Sequence, residues 1–140
     1  MATRSRFGVS LERSLLSAFD RWLARQGFAN RSQALAELIR ESLVKEEWRS
    51  PTGTVVAIVT LVYDPSHHVL SHTLTRTQHR HHHTILSSQH IHLDERDCLE
   101  VVVLKGPVQQ IKQVADRLRS LKGVKHGQVI MTTSGSALAS

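Results

Sequence analysis

At 140 residues, 40% of them hydrophobic and 21% charged, the chain has room for one ordinary domain or two small ones and is globular rather than disordered. Its 18 Lys and Arg against 12 Asp and Glu give a formal net charge of +6 and a pI near 10.2, a balance that favours a polyanionic partner, either nucleic acid or an anionic membrane surface. The one cysteine, Cys98, excludes an internal disulfide framework and points to a reducing, cytoplasmic compartment, and the longest apolar run, Val55 to Tyr63, is far short of the roughly 20 residues that span a bilayer.

The Arg- and Ser-rich start faintly resembles a transit peptide, but Glu12 and Asp20 argue against one. Strict alternation over residues 6–11 predicts instead a half-buried strand, with Phe7, Val9 and Leu11 on one side and Arg6, Gly8 and Ser10 on the other. A helix follows, with Ser10 as its N-cap, apolar positions at Leu11, Leu15, Leu16, Phe19, Trp22 and Leu23, and Gly27 to end it. Asn30 to Gln33 reads as an N-cap with a capping-box partner, opening a second helix whose apolar positions are Ala34, Leu35, Leu38, Ile39 and Leu43. A lone strand leaves its backbone groups unpaired, and a module of about 50 residues buries little surface. Two copies pairing their strands into a ribbon would remove both difficulties.

A break falls at Arg49 to Gly53. Beyond it the pattern predicts a strand at Thr54–Tyr63, a helix opening at Pro65, a strand around Ile85–Leu93, a tight turn at Asp94–Asp97 and a strand at Cys98–Lys105. A helix then has Pro107 at its first position, Val108, Ile111, Val114, Leu118 and Leu121 at helical spacing, and Gly123 just past its end. A last strand covers Gln128–Thr132. The fold class is therefore α+β: a strand–helix–helix module over residues 1–48, a ferredoxin-like βαββαβ domain over 54–132, and a small, polar tail at 133–140 expected to be disordered.

Histidine usage is the outlier: all 10 lie between His67 and His126. His90 and His92 are two apart in a predicted strand, so they share a face roughly 7 Å apart. Cys98 follows a four-residue turn on the neighbouring strand and can fold back towards them. The run His79-Arg-His-His-His83 is the obvious source of a fourth ligand. Imidazole with thiolate suits Zn, Cu, Ni or Co, and geometry rather than donor type separates these ions.

Over almost its whole length the chain resembles the NikR family of nickel-responsive ribbon-helix-helix regulators. The matching features are Arg-x-x-x-Ser-Leu at 6–11, Asn-Arg-Ser at 30–32, Thr77-Gln78-His79, His90-x-His92, Cys98-Leu99-Glu100, Val103-Leu104-Lys105-Gly106 and Val124-Lys125-His126-Gly127. The resemblance implies a square-planar Ni(II) site of His90, His92 and Cys98 from one chain with His79 from a second. It implies an ACT-type C-terminal domain at the centre of a homotetramer, a dimer of dimers. The N-terminal modules would bind a double-stranded DNA operator through Arg6, Gly8, Ser10, Asn30, Arg31 and Ser32, repressing nickel-uptake genes, with no membrane partner. Glu100 shares the strand face of Cys98 and would support the ligands from behind. Three departures stand out. Gly8 replaces a hydroxyl-bearing residue facing DNA, Gln33 replaces a carboxylate that with Glu37 can hold a second cation, and His67 and His68 replace cationic residues in a loop that can approach DNA.

A regulator of the same build answering to Zn, Cu, Co or a small molecule is the alternative. An enzyme using Cys98 as nucleophile is disfavoured, because no nucleophile elbow or third orienting group accompanies the thiol and paired histidines suit chelation better. The segment Pro65–His83 has seven histidines and three threonines, residues of middling to low helix propensity, so it is expected to become ordered when metal ties down its end.

Overall fold

The computed structural model describes residues 3–138. The chain divides into two compact units, the first reaching Leu43 and the second running from Val44 to Ala137. No helix among the described residues is long and apolar enough to cross a membrane.

The first unit contains α1 (Arg13–Arg25) and the start of α2 (Arg31–Arg49). Glu12, not Ser10, occupies the N-cap of α1, and it makes no side-chain cap bond. The C-terminal end follows expectation. Gly27 takes φ +78°, and the N–H groups of Gly27 and Phe28 donate to the carbonyls of Ala24 (3.2 Å) and Leu23 (3.0 Å), the paired bonds of a Schellman motif. At the start of α2 the Gln33 N–H donates to Asn30 Oδ1 (2.9 Å), while Gln33 Oε1 accepts from the Ala29 N–H (2.9 Å), one residue earlier than an ideal capping box. Phe19 stacks on Trp22 and Trp22 packs against Phe28.

The expected strand at 6–11 is absent: residues 3–11 have no regular secondary structure. A strand needs a neighbouring strand for its ladder, and one copy of the chain provides none. Phe7, Val9 and Leu11 are correspondingly 73%, 53% and 44% exposed. Ala34 is the one buried apolar residue of this unit among those described.

The second unit has the order β1 (Thr54–Tyr63), α3 (His68–Arg80), β2 (Ile85–His92), β3 (Cys98–Pro107), α4 (Val108–Arg119), β4 (Val124–Thr132). This is the expected βαββαβ sequence. The strands form one sheet in the order β2-β3-β1-β4, and every neighbouring pair is antiparallel. Several boundaries move. The helix expected from Pro65 begins at His68. Pro107 is the N-cap of α4 rather than its first residue, and β4 begins at Val124 instead of Gln128 because it pairs with β1 as far as Tyr63.

Strand alternation buries Val55, Ala57, Val59, Leu61 and Tyr63 of β1 beside Cys98, Val102 and Leu104 of β3. Leu70 and Leu74 of α3 and Val108, Ile111, Val114 and Leu118 of α4 complete this core, so both helices cover the same sheet face. The last turns of α2 belong to it as well. Trp48 is buried there with its indole N–H donating to the Thr132 carbonyl (2.9 Å), and Val44 packs alongside. The opposite sheet face carries Val56, Ile58, Val62, Val101 and Val103, half-buried, with Ile130 exposed beside Ile58. Residues 133–138 contain neither helix nor strand, and the last two residues of the expected disordered tail lie outside the described residues.

Gly127 of β4 lies close beneath the Arg119 side chain of α4. A Cβ there would stand 2.9 Å from Arg119 Cγ, 3.2 Å from Arg119 Cβ and 3.2 Å from Leu61 Cδ2. Gly127→Ala should therefore destabilise the protein by about 1–3 kcal/mol, read as a lowered thermal midpoint at equal protein concentration. An unchanged midpoint would mean that α4 lifts freely.

Candidate metal centre

The centre is built on the β2–β3 hairpin. Its turn is closed by the Leu93 N–H donating to the Asp97 carbonyl (2.9 Å), and Asp94 Oδ1 accepts from the N–H groups of Arg96 and Asp97 (2.8 Å each). This Asx-type turn sets the register, which places His92 opposite Cys98 and His90 opposite Glu100. Residues directly opposite in an antiparallel pair project to the same face. All four side chains therefore emerge on the face that the helices cover.

The candidate ligand atoms of His90, His92 and Cys98 all lie within 4.8 Å of one another. Cys98 Sγ is 3.4 Å from His92 Nδ1, and the two imidazole rings meet edge to face with centroids 5.0 Å apart. The thiol is only 1% exposed, whereas both imidazoles are exposed, so the sulfur forms the floor and the rings the rim.

Beneath the rim lies a buried carboxylate. Glu100 is 7% exposed, and its two oxygens are shared among four neighbours. Ser88 Oγ and Gln78 Nε2 (3.3 Å) donate to Oε1, and the Tyr63 hydroxyl (3.1 Å) donates to Oε2. His90 Nδ1 stands 3.1 Å from Oε2 and 3.0 Å from the Tyr63 oxygen. A ring nitrogen facing a carboxylate carries the proton, which leaves Nε2 of His90 with a free lone pair for a metal.

Burial pushes the Cys98 thiol above its ordinary range, and the carboxylates of Asp97, Asp64, Glu100 and Asp94 push in the same direction. Desolvation, then Glu100, likewise raise the Tyr63 phenol. The surroundings resist a second negative charge and favour a cation that would stabilise the thiolate. Two imidazole nitrogens and one such sulfur fit a divalent late transition ion.

The remaining expected site residues are placed less directly. His79 is exposed near the end of α3 and is not part of the three-residue cluster; its ring neighbours that of His82, at 6.1 Å. Arg6, Gly8 and Ser10 are exposed in the irregular N-terminal segment. Asn30 is occupied as a helix cap, Ser32 is exposed, and the Arg31 guanidinium grips Asp20 with two bonds of 2.9 Å. That pair is exposed and contributes little to stability, but it fixes where Arg31 sits. Glu37 is 3.7 Å from Arg40, and Gln33 is spent on its cap.

Sequence reasoning missed Tyr63, Gln78 and Ser88. Ser88 was within reach of it, being two residues before His90 on the same strand face. Tyr63 and Gln78 arrive from β1 and α3, and nothing in their spacing links them to Glu100.

Residues 56–132 match the family described as the NikR C-terminal nickel-binding domain. A relative from Geotalea uraniireducens that bears the description nickel-responsive regulator is 47% identical over 140 residues, covering 99% of each chain. One of the same description from Pyrococcus furiosus is 45% identical over 130 residues, covering 93% of this chain and 94% of its own. An uncharacterized protein of solved structure from Thermotoga maritima superposes with a TM-score of 0.50 at 18% identity, over 56% of this chain and 96% of that one, a likeness of fold alone.

Two outcomes follow from the centre. Glu100→Gln removes the charge that orients His90 and should weaken Ni(II) binding by about 10–100-fold, measured by competition with a chelator; unchanged affinity would show that the carboxylate does not act on the ligands. Because its folded pKa is raised, Cys98 is a thiol at neutral pH and must release its proton to bind metal. Affinity should therefore fall as pH drops from about 8 to 6.5, with proton release detectable in weakly buffered solution. A flat affinity across that range would mean that sulfur is not a ligand.

Proposed function

The chain belongs to the NikR family of nickel-responsive regulators, and from that premise we propose that it is a Ni(II)-dependent DNA-binding repressor of nickel-uptake genes, acting in the cytoplasm. The observation that carries this reading is the convergence of His90, His92 and Cys98 on one hairpin face.

In this reading Cys98 supplies the thiolate, His90 a nitrogen oriented by Glu100, and His92 a second nitrogen. Nickel held by these residues would supply a positive charge that offsets the carboxylates around the sulfur, and would be the signal. His79 of a second chain supplies the fourth donor. Two features support that assignment: His79 lies outside the cluster of its own chain, and it occupies the side of α3 away from the buried Leu70, Leu74 and Thr77. Gln78, its neighbour, donates to Glu100. The end of α3 is thus tied to a metal-ligand network within its own chain and, through His79, to a hairpin of another.

The assembly proposed is a homotetramer built as a dimer of dimers. Among the described residues the N-terminal unit fully buries only Ala34, and its exposed Phe7, Val9 and Leu11 are what a two-chain ribbon would cover. In that ribbon-helix-helix arrangement Arg6, Gly8 and Ser10 face the major groove of an operator, a β-ribbon mode of readout. Asn30, Arg31 and Ser32 lie against the backbone, with Arg31 braced by Asp20. The C-terminal domain is of the ACT type, and its half-buried apolar sheet face is available to a second copy.

The test is the affinity of the untagged protein for DNA from its own upstream region, with and without Ni(II), alongside Zn(II), Cu(II) and Co(II). Nickel should tighten binding and Cys98→Ala should remove the response; equal affinity with and without metal would sink the reading. Mixing His79→Ala chains with Cys98→Ala chains should restore a fraction of tight sites, because each parent lacks a different part. No recovery despite demonstrated subunit exchange would place all ligands on one chain.

A further inference from the structure

Beyond the hairpin, imidazoles are concentrated on α3. Leu70, Leu74 and Thr77 are the buried positions of that helix. His68 and His72 lie on its solvent side, both exposed and four residues apart. Residues at this spacing stand one turn above each other with Cβ atoms about 5–6 Å apart, the arrangement in which two helical histidines share a metal ion. Among the described residues neither ring takes part in a hydrogen bond or an ion pair. The hydroxyls of Thr73 and Thr75 are turned back onto the carbonyls of Val69 (2.8 Å) and Ser71 (3.0 Å), so neither holds these imidazoles in another orientation.

We propose that His68 and His72 form a second, surface metal site that takes a divalent late transition ion through two imidazole nitrogens, water completing the shell. It differs in chemistry from the hairpin centre, having neither thiolate nor buried carboxylate, so it binds more weakly and exchanges faster. The ion also supplies something α3 lacks. The N-cap, His67, makes no side-chain cap bond, and the helix is rich in residues of low helix propensity. A metal bridging one turn to the next fixes the first two turns of α3 and offsets part of the entropy of forming them.

Equilibrium dialysis of the untagged full-length protein against Ni(II) tests this independently of the hairpin reading. The parent should take up two ions per chain, one tightly and one weakly. Cys98→Ala should keep the weak step alone. The double variant His68→Gln, His72→Gln should keep the tight step and weaken the other by at least about tenfold; both side chains are exposed, so folding is not at stake. Amide exchange over residues 68–74 should slow as the weak site fills in the parent and not in the double variant. Uptake that stops at one ion per chain overturns the proposal. So does a weak step that survives the double substitution, which would move it to other histidines such as His82 and His83, whose rings lie 3.8 Å apart.

Discussion

The antiparallel register of β2 against β3 sets the position of the candidate ligands and of Glu100. With His92 opposite Cys98 and His90 opposite Glu100, a single hairpin brings two imidazoles, a thiol and a carboxylate to one face. A slip of one residue would send the whole set to the other side of the sheet, since side chains alternate with a period of two. Two devices resist that slip. Asp94 closes the turn through the backbone of Arg96 and Asp97, and Lys125 of β4 pairs with Asp97, joining the turn to the opposite edge strand of the sheet.

The same register makes the centre electrically demanding. Glu100 is buried, and a buried carboxylate is tolerated only when its oxygens are satisfied. Tyr63, Gln78, Ser88 and His90 do so, from β1, α3 and β2. Beside it the Cys98 thiol is held protonated by burial and by four carboxylates. An arrangement that penalises a bare thiolate yet presents two imidazoles beside it is poorly suited to nucleophilic chemistry and well suited to a cation. Because Gln78 belongs to α3, the network that orients a ligand also holds a helix. A binding event at the hairpin therefore has a physical route to α3.

The two units differ in how far one chain completes them. The C-terminal unit has a closed core between one sheet face and α3 and α4, with Trp48 of α2 included. The N-terminal unit has well-formed caps and turns at Gly27 and Asn30, but Phe7, Val9, Leu11, Leu15, Ile39 and Leu43 remain exposed. Local signals are satisfied within the chain, whereas the burial of these apolar side chains is not.

Much of this was legible in the sequence because it depends on short-range periodicity. β1 occupies Thr54–Tyr63 as its apolar run implied, the βαββαβ order follows from alternating periods, and the Gly27 and Asn30 signals sit where helices end and begin. The candidate ligands His90, His92 and Cys98 were readable for the same reason, since strand period and turn length are local quantities. What local periodicity could not place were features whose partners lie elsewhere. The strand at 6–11 has nothing to pair with inside one chain, and β4 gained four residues through its pairing with β1. Pro107 became a cap because β3 runs to it in register with Thr54. Tyr63 and Gln78 reach Glu100 only because the sheet order and the packing of α3 bring three distant segments to one carboxylate. Sequence by itself therefore determined which donors share a strand face; tertiary structure alone decided which polar groups stand behind them, because those contacts join residues whose separation along the chain bears no relation to any local period.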